Sequence, residues 1–279
     1  MKNLIAVAFF LLALCGSLCA QKEKISAEEL IAKHTASIGT AEALAAVKSR
    51  VMVGVGAFTT KIKPGKIGGA AQLATEGDKF LLAMVLNANE YPYEKFGFDG
   101  KDLTTGNMPS GGPSPLGDVL RSNKLLVRRG LFLGVLSQAW PLLKTDSEIK
   151  LQSAGLSKVG DRKLYKMKVN AAGAGDMTIS LYFEPETFRH VRTEYSARTG
   201  QLTTPNPNRP PVSGSNAYSP GSFTLTEDFS NFAKVDNLVL PLTYAIEYTT
   251  EAGRTMIWTI NFSQAFNNQP IEASVFRVS

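Results

Sequence analysis

Met177-Thr178-Ile179-Ser180-Leu181-Tyr182-Phe183, running into Glu184-Pro185-Glu186-Thr187, is the stretch that decides the fold. Met177, Ile179, Leu181 and Phe183 alternate with Thr178, Ser180 and Tyr182, the period of two that places one apolar face and one polar or amphipathic face on a strand. The charged, proline-containing tail then turns the chain into a further strand over 190–195. Working outward, Tyr165, Met167 and Val169 alternate with Lys166 and Lys168, and strands are predicted over 223–229, 243–249 and 255–262. Earlier, Val51, Val53 and Val55 alternate with Met52, Gly54 and Gly56, and strand-length runs follow over 80–86, 91–98 and 101–105. Gly77-Asp78 and Asp99-Gly100 lie between these runs as tight-turn residues, so antiparallel hairpins follow. Gly54 and Gly56 make a Gly-x-Gly with no helix after it, which reads as a bend in a curved sheet rather than a phosphate cradle.

The two ends of the pattern differ from the strands. Lys2, the apolar run over 4–14 and small residues up to Ala20 form an export signal, too short to span a bilayer, which takes about 20 apolar residues. Cleavage is expected near Ala20, leaving 21–279 as a periplasmic chain. Cys15 and Cys19 fall inside the signal, so the mature protein has no disulfide or thiol. A lipid anchor on Cys19 is the alternative, although Leu18 stands where a lipoprotein signal carries a small residue. Ser26 and Glu29 form a capping box at the head of a short amphipathic helix in which Leu30, Ile31, His34 and Ile38 recur at spacings of three and four, with His34 read as interfacial, and which stops at Gly39. Thr40 caps a second short helix over 41–47.

Two inserts interrupt the strands. A Pro/Gly/Ser stretch over 107–115 opens into a segment of helical character over 116–143. Over 131–143 that segment is apolar on nearly every side, and a helix of that kind must be covered by protein, ligand or membrane. The second insert, 198–222, holds five prolines and reads as a loop within a single domain.

Charge and motifs exclude much. The formal charge of +6 drops to +5 without Lys2, its positive residues are scattered, and no basic stripe interleaved with aromatics points to nucleic acid. Basic character leaves room for a transient contact with a membrane surface. His34 and His190 have no metal-spaced companion, no serine sits in a Gly-x-Ser-x-Gly elbow, and Glu184 with Glu186 read as turn solvation. No cofactor, metal or catalytic residue is predicted, and the chain reads as a non-enzyme.

Leu181-Tyr182-Phe183-Glu184-Pro185-Glu186-Thr187, the FSNFAKVDNLVLP run over 229–241, the FNNQPIEASVFRV ending over 266–278 and the stretch 29–50 together resemble the periplasmic lipoprotein-carrier (LolA/LolB-like) superfamily, including its outer-membrane lipoprotein-sorting members. The resemblance implies a mainly β fold with some α: one strongly curved antiparallel sheet, a half-barrel, covered on its concave face by helices that act as a lid over acyl chains. The inserts at 107–143 and 198–222 depart from it and leave the cargo undefined.

On this reading the lid residues are Leu131, Phe132, Val135, Leu136 and Trp140, and the sheet residues are Val51, Val53, Val55, Met177, Ile179, Leu181, Trp258, Ile260 and Phe262. Plain core packing is the alternative for each. The partner would be a lipid acyl chain or a lipoprotein, held at about 0.8 kcal/mol per buried CH₂. A non-catalytic envelope sensor or interaction protein on the same scaffold is the second reading, with a filled core and an exposed apolar patch over 131–143. An envelope hydrolase would require a serine, a histidine and a carboxylate in one cleft.

Overall fold

The computed structural model describes residues 25–61, 65–144, 149–197 and 222–278. The predicted signal segment and nearly all of the second insert lie outside them. Two helices, α1 (Ala27–Ile38) and α2 (Ala41–Ala46), precede five strands: β1 (Ser49–Thr60), β2 (Ile67–Glu76), β3 (Lys79–Leu86), β4 (Tyr93–Phe98) and β5 (Leu103–Thr105). Helices α3 (Pro115–Ser122) and α4 (Lys124–Arg128) follow, then 3₁₀ turns at Gly134–Leu136 and Pro141–Leu143. Seven strands complete the fold: β6 (Ile149–Val159), β7 (Arg162–Ala171), β8 (Met177–Phe183), β9 (His190–Ala197), β10 (Phe223–Val235), β11 (Leu238–Thr250) and β12 (Thr255–Asn267).

All twelve strands form one antiparallel sheet in the order β5-β4-β3-β2-β1-β12-β11-β10-β9-β8-β7-β6, open at both ends. The mainly β, antiparallel class expected from the alternation is therefore present. Tight turns make the hairpins: Gly77 (φ 60°) joins β2 to β3 and Gly160 (φ 59°) joins β6 to β7. Gly54 marks a register shift between β1 and β12, where a Cβ would stand 2.0 Å from the Asn261 carbonyl oxygen, so only glycine allows the strands to meet there.

At the N-terminus Ser26 Oγ accepts from Glu29 N at 3.1 Å, and Thr40 Oγ1 accepts from Ala43 N at 3.2 Å. The Glu29 carboxylate pairs with Lys33 at 2.9 Å, one helical turn on.

The segment over 116–143 is not the continuous helix its composition suggests. After α4 it becomes an irregular strap, 129–143, with Leu133 (φ 75°) and Gly134 (φ 48°) in the left-handed region. The strap is apolar on every side because protein surrounds it, and enclosure removes the 3.6-residue period that would mark a helix.

Strands far apart in the sheet reach this strap together. The Phe132 ring lies 6.0 Å from Phe80 of β3, while the Leu131 carbonyl accepts from the Tyr195 hydroxyl of β9 at 2.8 Å. Six inter-strand steps, about 29 Å along a flat sheet, separate β3 from β9. Side chains standing upright on a flat sheet would not meet adjacent strap residues, so the sheet bends around the strap.

Candidate functional site

Buried polar side chains of the sheet and of α1 fasten the strap and the chain leading into it. Glu94 of β4 accepts from the hydroxyls of Ser114 and Tyr91. Ser114 is also the N-cap of α3, taking Gly117 N at 2.9 Å. Glu227 of β10 accepts from Leu133 N at 2.8 Å and from Tyr244 at 2.5 Å, and its Oε2 lies 2.6 Å from the Tyr195 hydroxyl. Arg50 of β1 donates to the Leu136 carbonyl at 3.4 Å and to Asn267 Oδ1 at 3.1 Å. Trp140 Nε1 donates to His34 Nε2 of α1 at 3.1 Å.

Burial governs the charge of these groups. It pushes both Glu94 and Glu227 up to about 7, against the hydrogen bonds that favour their ionised forms. It pushes His34 down to about 4, His190 well below the ordinary imidazole value and Arg50 down to about 10. The two histidines, distant in sequence, come together with ring centres 6.1 Å apart, and Trp140 stacks on His190 at 4.8 Å. His34 is a core residue, 1% exposed, rather than an interfacial one. Sequence spacing gave no signal for this pairing, since α1 and β9 meet only in the folded chain.

The predicted lid residues Leu131, Phe132, Val135, Leu136 and Trp140 are all at most 3% exposed. They share one apolar cluster with Ile179, Leu181, Trp258, Ile260 and Phe262. Met177 is half-buried at the edge of that cluster. Most of these side chains are 0 or 1% exposed, and the strap occupies the hollow expected between lid and sheet.

Val51, Val53 and Val55 require a correction. They lie on the opposite face from Met52 and Phe58, and Val55 is 61% exposed. Both alternating sets of β1 are apolar, so the period could not say which face points inward. The inner set is the one carrying Gly54 and Gly56, whose missing side chains admit the β12 backbone and Met84.

Open apolar space lies beside the strap. A pocket of about 400 Å³ is bounded by α1 and α2 (Ile38, Leu44), the strap (Val135, Leu143) and β11 (Leu238, Leu240). Arg50 lines it too, as does exposed Lys48. Gln138, also in its wall, has a buried amide N and O with no partner among the described residues. None of these pocket residues except the strap's Val135 belonged to the predicted set. A second opening of about 300 Å³ lies between α4 and the loop at Gly173 and Ala174. Among the described residues no cluster of three His, Cys, Asp or Glu is placed to hold a metal, and no helix is long and apolar enough to cross a membrane.

No protein-family model matches the chain, and no curated protein does. Among solved structures it is similar to a LolA superfamily protein from Nitrosomonas europaea, at 13% identity over 91% of this chain and 98% of that one, with a TM-score of 0.49. A DUF1329 family protein from Desulfovibrio piger is similar at 10% identity over 90% and 96%, TM-score 0.49. An outer membrane lipoprotein-sorting protein domain from Vibrio parahaemolyticus is similar at 9% identity over 89% and 96%, TM-score 0.46.

Proposed function

We propose that the protein is an exported, non-catalytic binding protein or carrier for a lipid or lipidated protein, whose acyl chain enters the pocket between α1, α2 and the strap. The observation that carries this reading is the pocket's chemistry: Ile38, Leu44, Val135, Leu143, Leu238 and Leu240 form apolar walls, and Lys48 and Arg50 give it positive charge. Such a site takes a hydrocarbon tail with an anionic or polar head, and the Gln138 amide is available to that head. Burying four or five methylenes there contributes about 3–4 kcal/mol. Longer chains require the strap to move off the sheet, which makes it the lid of a half-barrel. Export, cleavage near Ala20 and a single domain over 21–279 belong to the same proposal.

Titration of the purified, delipidated protein with a fluorescent fatty acid tests it. Saturable uptake is expected, reduced at least ten-fold in Leu44→Glu and unchanged in Val55→Glu. No uptake, or equal uptake by Leu44→Glu, would contradict the reading.

A second reading, an envelope sensor or interaction protein, is favoured by a different observation. The space under the strap is filled, and an apolar patch is exposed elsewhere: Val55, Ala70 and Val85 sit side by side across β1, β2 and β3, with Val55 61% and Val85 53% exposed. The strap over 131–143, where such a patch was expected, is buried.

A further inference from the structure

The cluster around Glu227 has one more contact than its donors can fill when the carboxylate is ionised. Its Oε1 faces Leu133 N at 2.8 Å and the Tyr244 hydroxyl at 2.5 Å; its Oε2 faces the Tyr195 hydroxyl at 2.6 Å. The same Tyr195 hydroxyl is 2.8 Å from the Leu131 carbonyl oxygen. That makes four contacts. Leu133 N–H, Tyr195 O–H and Tyr244 O–H bring one proton each, so with Glu227 ionised one contact sets two oxygens together with no proton between them. A proton on Oε2 fills the set: Glu227 donates to Tyr195, and Tyr195 donates to Leu131.

Glu94 shows the contrast. Its cluster is richer in donors: Tyr91 O–H, Ser114 O–H, Trp258 N–H and Gly117 N–H bring four protons to it.

We propose that Glu227 carries a proton whenever the strap is seated, so that seating takes up one proton from solvent and rising pH loosens the strap. The proposal rests on the reading of the strap as a movable cover and supplies its regulation. The strap residues held by this cluster include Leu133 and precede Gly134, both in left-handed backbone, a conformation that only surrounding contacts maintain for leucine.

The ionisable groups around Glu227 do not replace that proton. Tyr195 of β9 and Tyr244 of β11 are held protonated by burial. His34 of α1 and His190 of β9 flank Trp140 and are neutral by burial. Arg50 of β1 is bonded to Leu136 and Asn267, and Asp228, the next residue of β10, pairs with Arg192 through 2.6 and 2.8 Å bonds.

Hydrogen exchange of the ligand-free protein tests the proposal. Corrected for intrinsic rate and referenced to the Trp258 amide, protection of the Leu133 amide is expected to fall about ten-fold per pH unit between the carboxyl's ordinary value of about 4.5 and its seated value of about 7, the slope of one linked proton. Glu227→Gln, which keeps a donor toward Tyr195, is expected to abolish the slope. A flat profile in the natural protein, or the same slope in Glu227→Gln, overturns it. Should the variant fail to fold, infrared spectra of Glu94→Gln, in which Glu227 keeps its raised value alone, decide: a protonated-carboxyl band at neutral pH that bleaches as pH rises is expected, and its absence overturns the proposal. Flat exchange with normal fatty-acid uptake removes the proton latch alone. Sloped exchange without uptake removes the carrier reading alone.

Discussion

Trp140 joins three parts of the molecule through one side chain. Because its indole N–H donates to His34 Nε2, the His34 proton sits on Nδ1, which donates to the Phe188 carbonyl at 3.1 Å. Helix α1, the strap and the β8–β9 turn are thereby locked to one imidazole tautomer. Trp140→Phe keeps most of the apolar volume but leaves His34 Nε2 buried without a donor. It is expected to cost about 1–3 kcal/mol. Trp140→Ala adds a cavity and is expected to cost about 3–5 kcal/mol, both read from urea midpoints. That Trp140 would be buried was legible in its apolar surroundings. Its bond to His34 was not, because nothing in the sequence links positions 106 residues apart.

Among the elements, the strap's fastenings titrate in opposite senses. Glu94 and Glu227 have folded pKa values near 7, above their unfolded values, so their contribution is full below about pH 4.5 and is lost as pH rises through about 7. His34, depressed to about 4, contributes stability above its unfolded value of about 6.5 that is lost as pH falls toward 4. In a Glu94→Gln, Glu227→Gln background only the histidine side remains. Urea unfolding there is expected to show a loss of at least about 3 kcal/mol between pH 6.5 and 4 as the His34 and His190 pair is forced to take up protons. A flat profile would show that His34 is not held neutral. The Gly54 bend makes a separate prediction: Gly54→Ala drives a methyl into the Asn261 carbonyl and is expected to part β1 from β12, seen as lost amide protection along both strands.

Most hairpins were readable because their strands alternate and their turns carry Gly, Asp or Asn, or, between β8 and β9, the Glu184-Pro185 pair. Strands β2 and β6 escaped: Gly68, Gly69, Ala70 and Ala71 of β2 are poor strand formers held there by β1 and β3, and β6 is an edge strand bonded to β7 alone. The helical reading of the strap failed for the reason given by its burial: an enclosed segment shows no face.

At the scale of the whole molecule, one open sheet bends around one strap, and its two faces differ. Over β6 and β7 the outer face is polar, with lysines alternating against core residues. Over β1 to β3 both faces are apolar, a pattern that belongs to strands covered on both sides. Val55→Glu is expected to change stability by no more than about 0.5 kcal/mol, because its side chain meets solvent rather than the core. A loss of several kcal/mol in that variant would place Val55 inside. The candidate site was legible only in kind. Its strap residues and inner-sheet residues were identified as an apolar set, while the pocket walls came from α1, α2 and β11, which the chain brings together over distances no local pattern records.

The central claim is that this fold holds an acyl chain. Solvent extraction of the protein, purified without detergent, followed by lipid mass spectrometry, tests it most directly. The account expects an acyl lipid at close to one per chain, lost in Leu44→Glu and retained in Val55→Glu. Protein that emerges free of lipid from such a preparation, and takes none up on exposure to phospholipid vesicles, would contradict it.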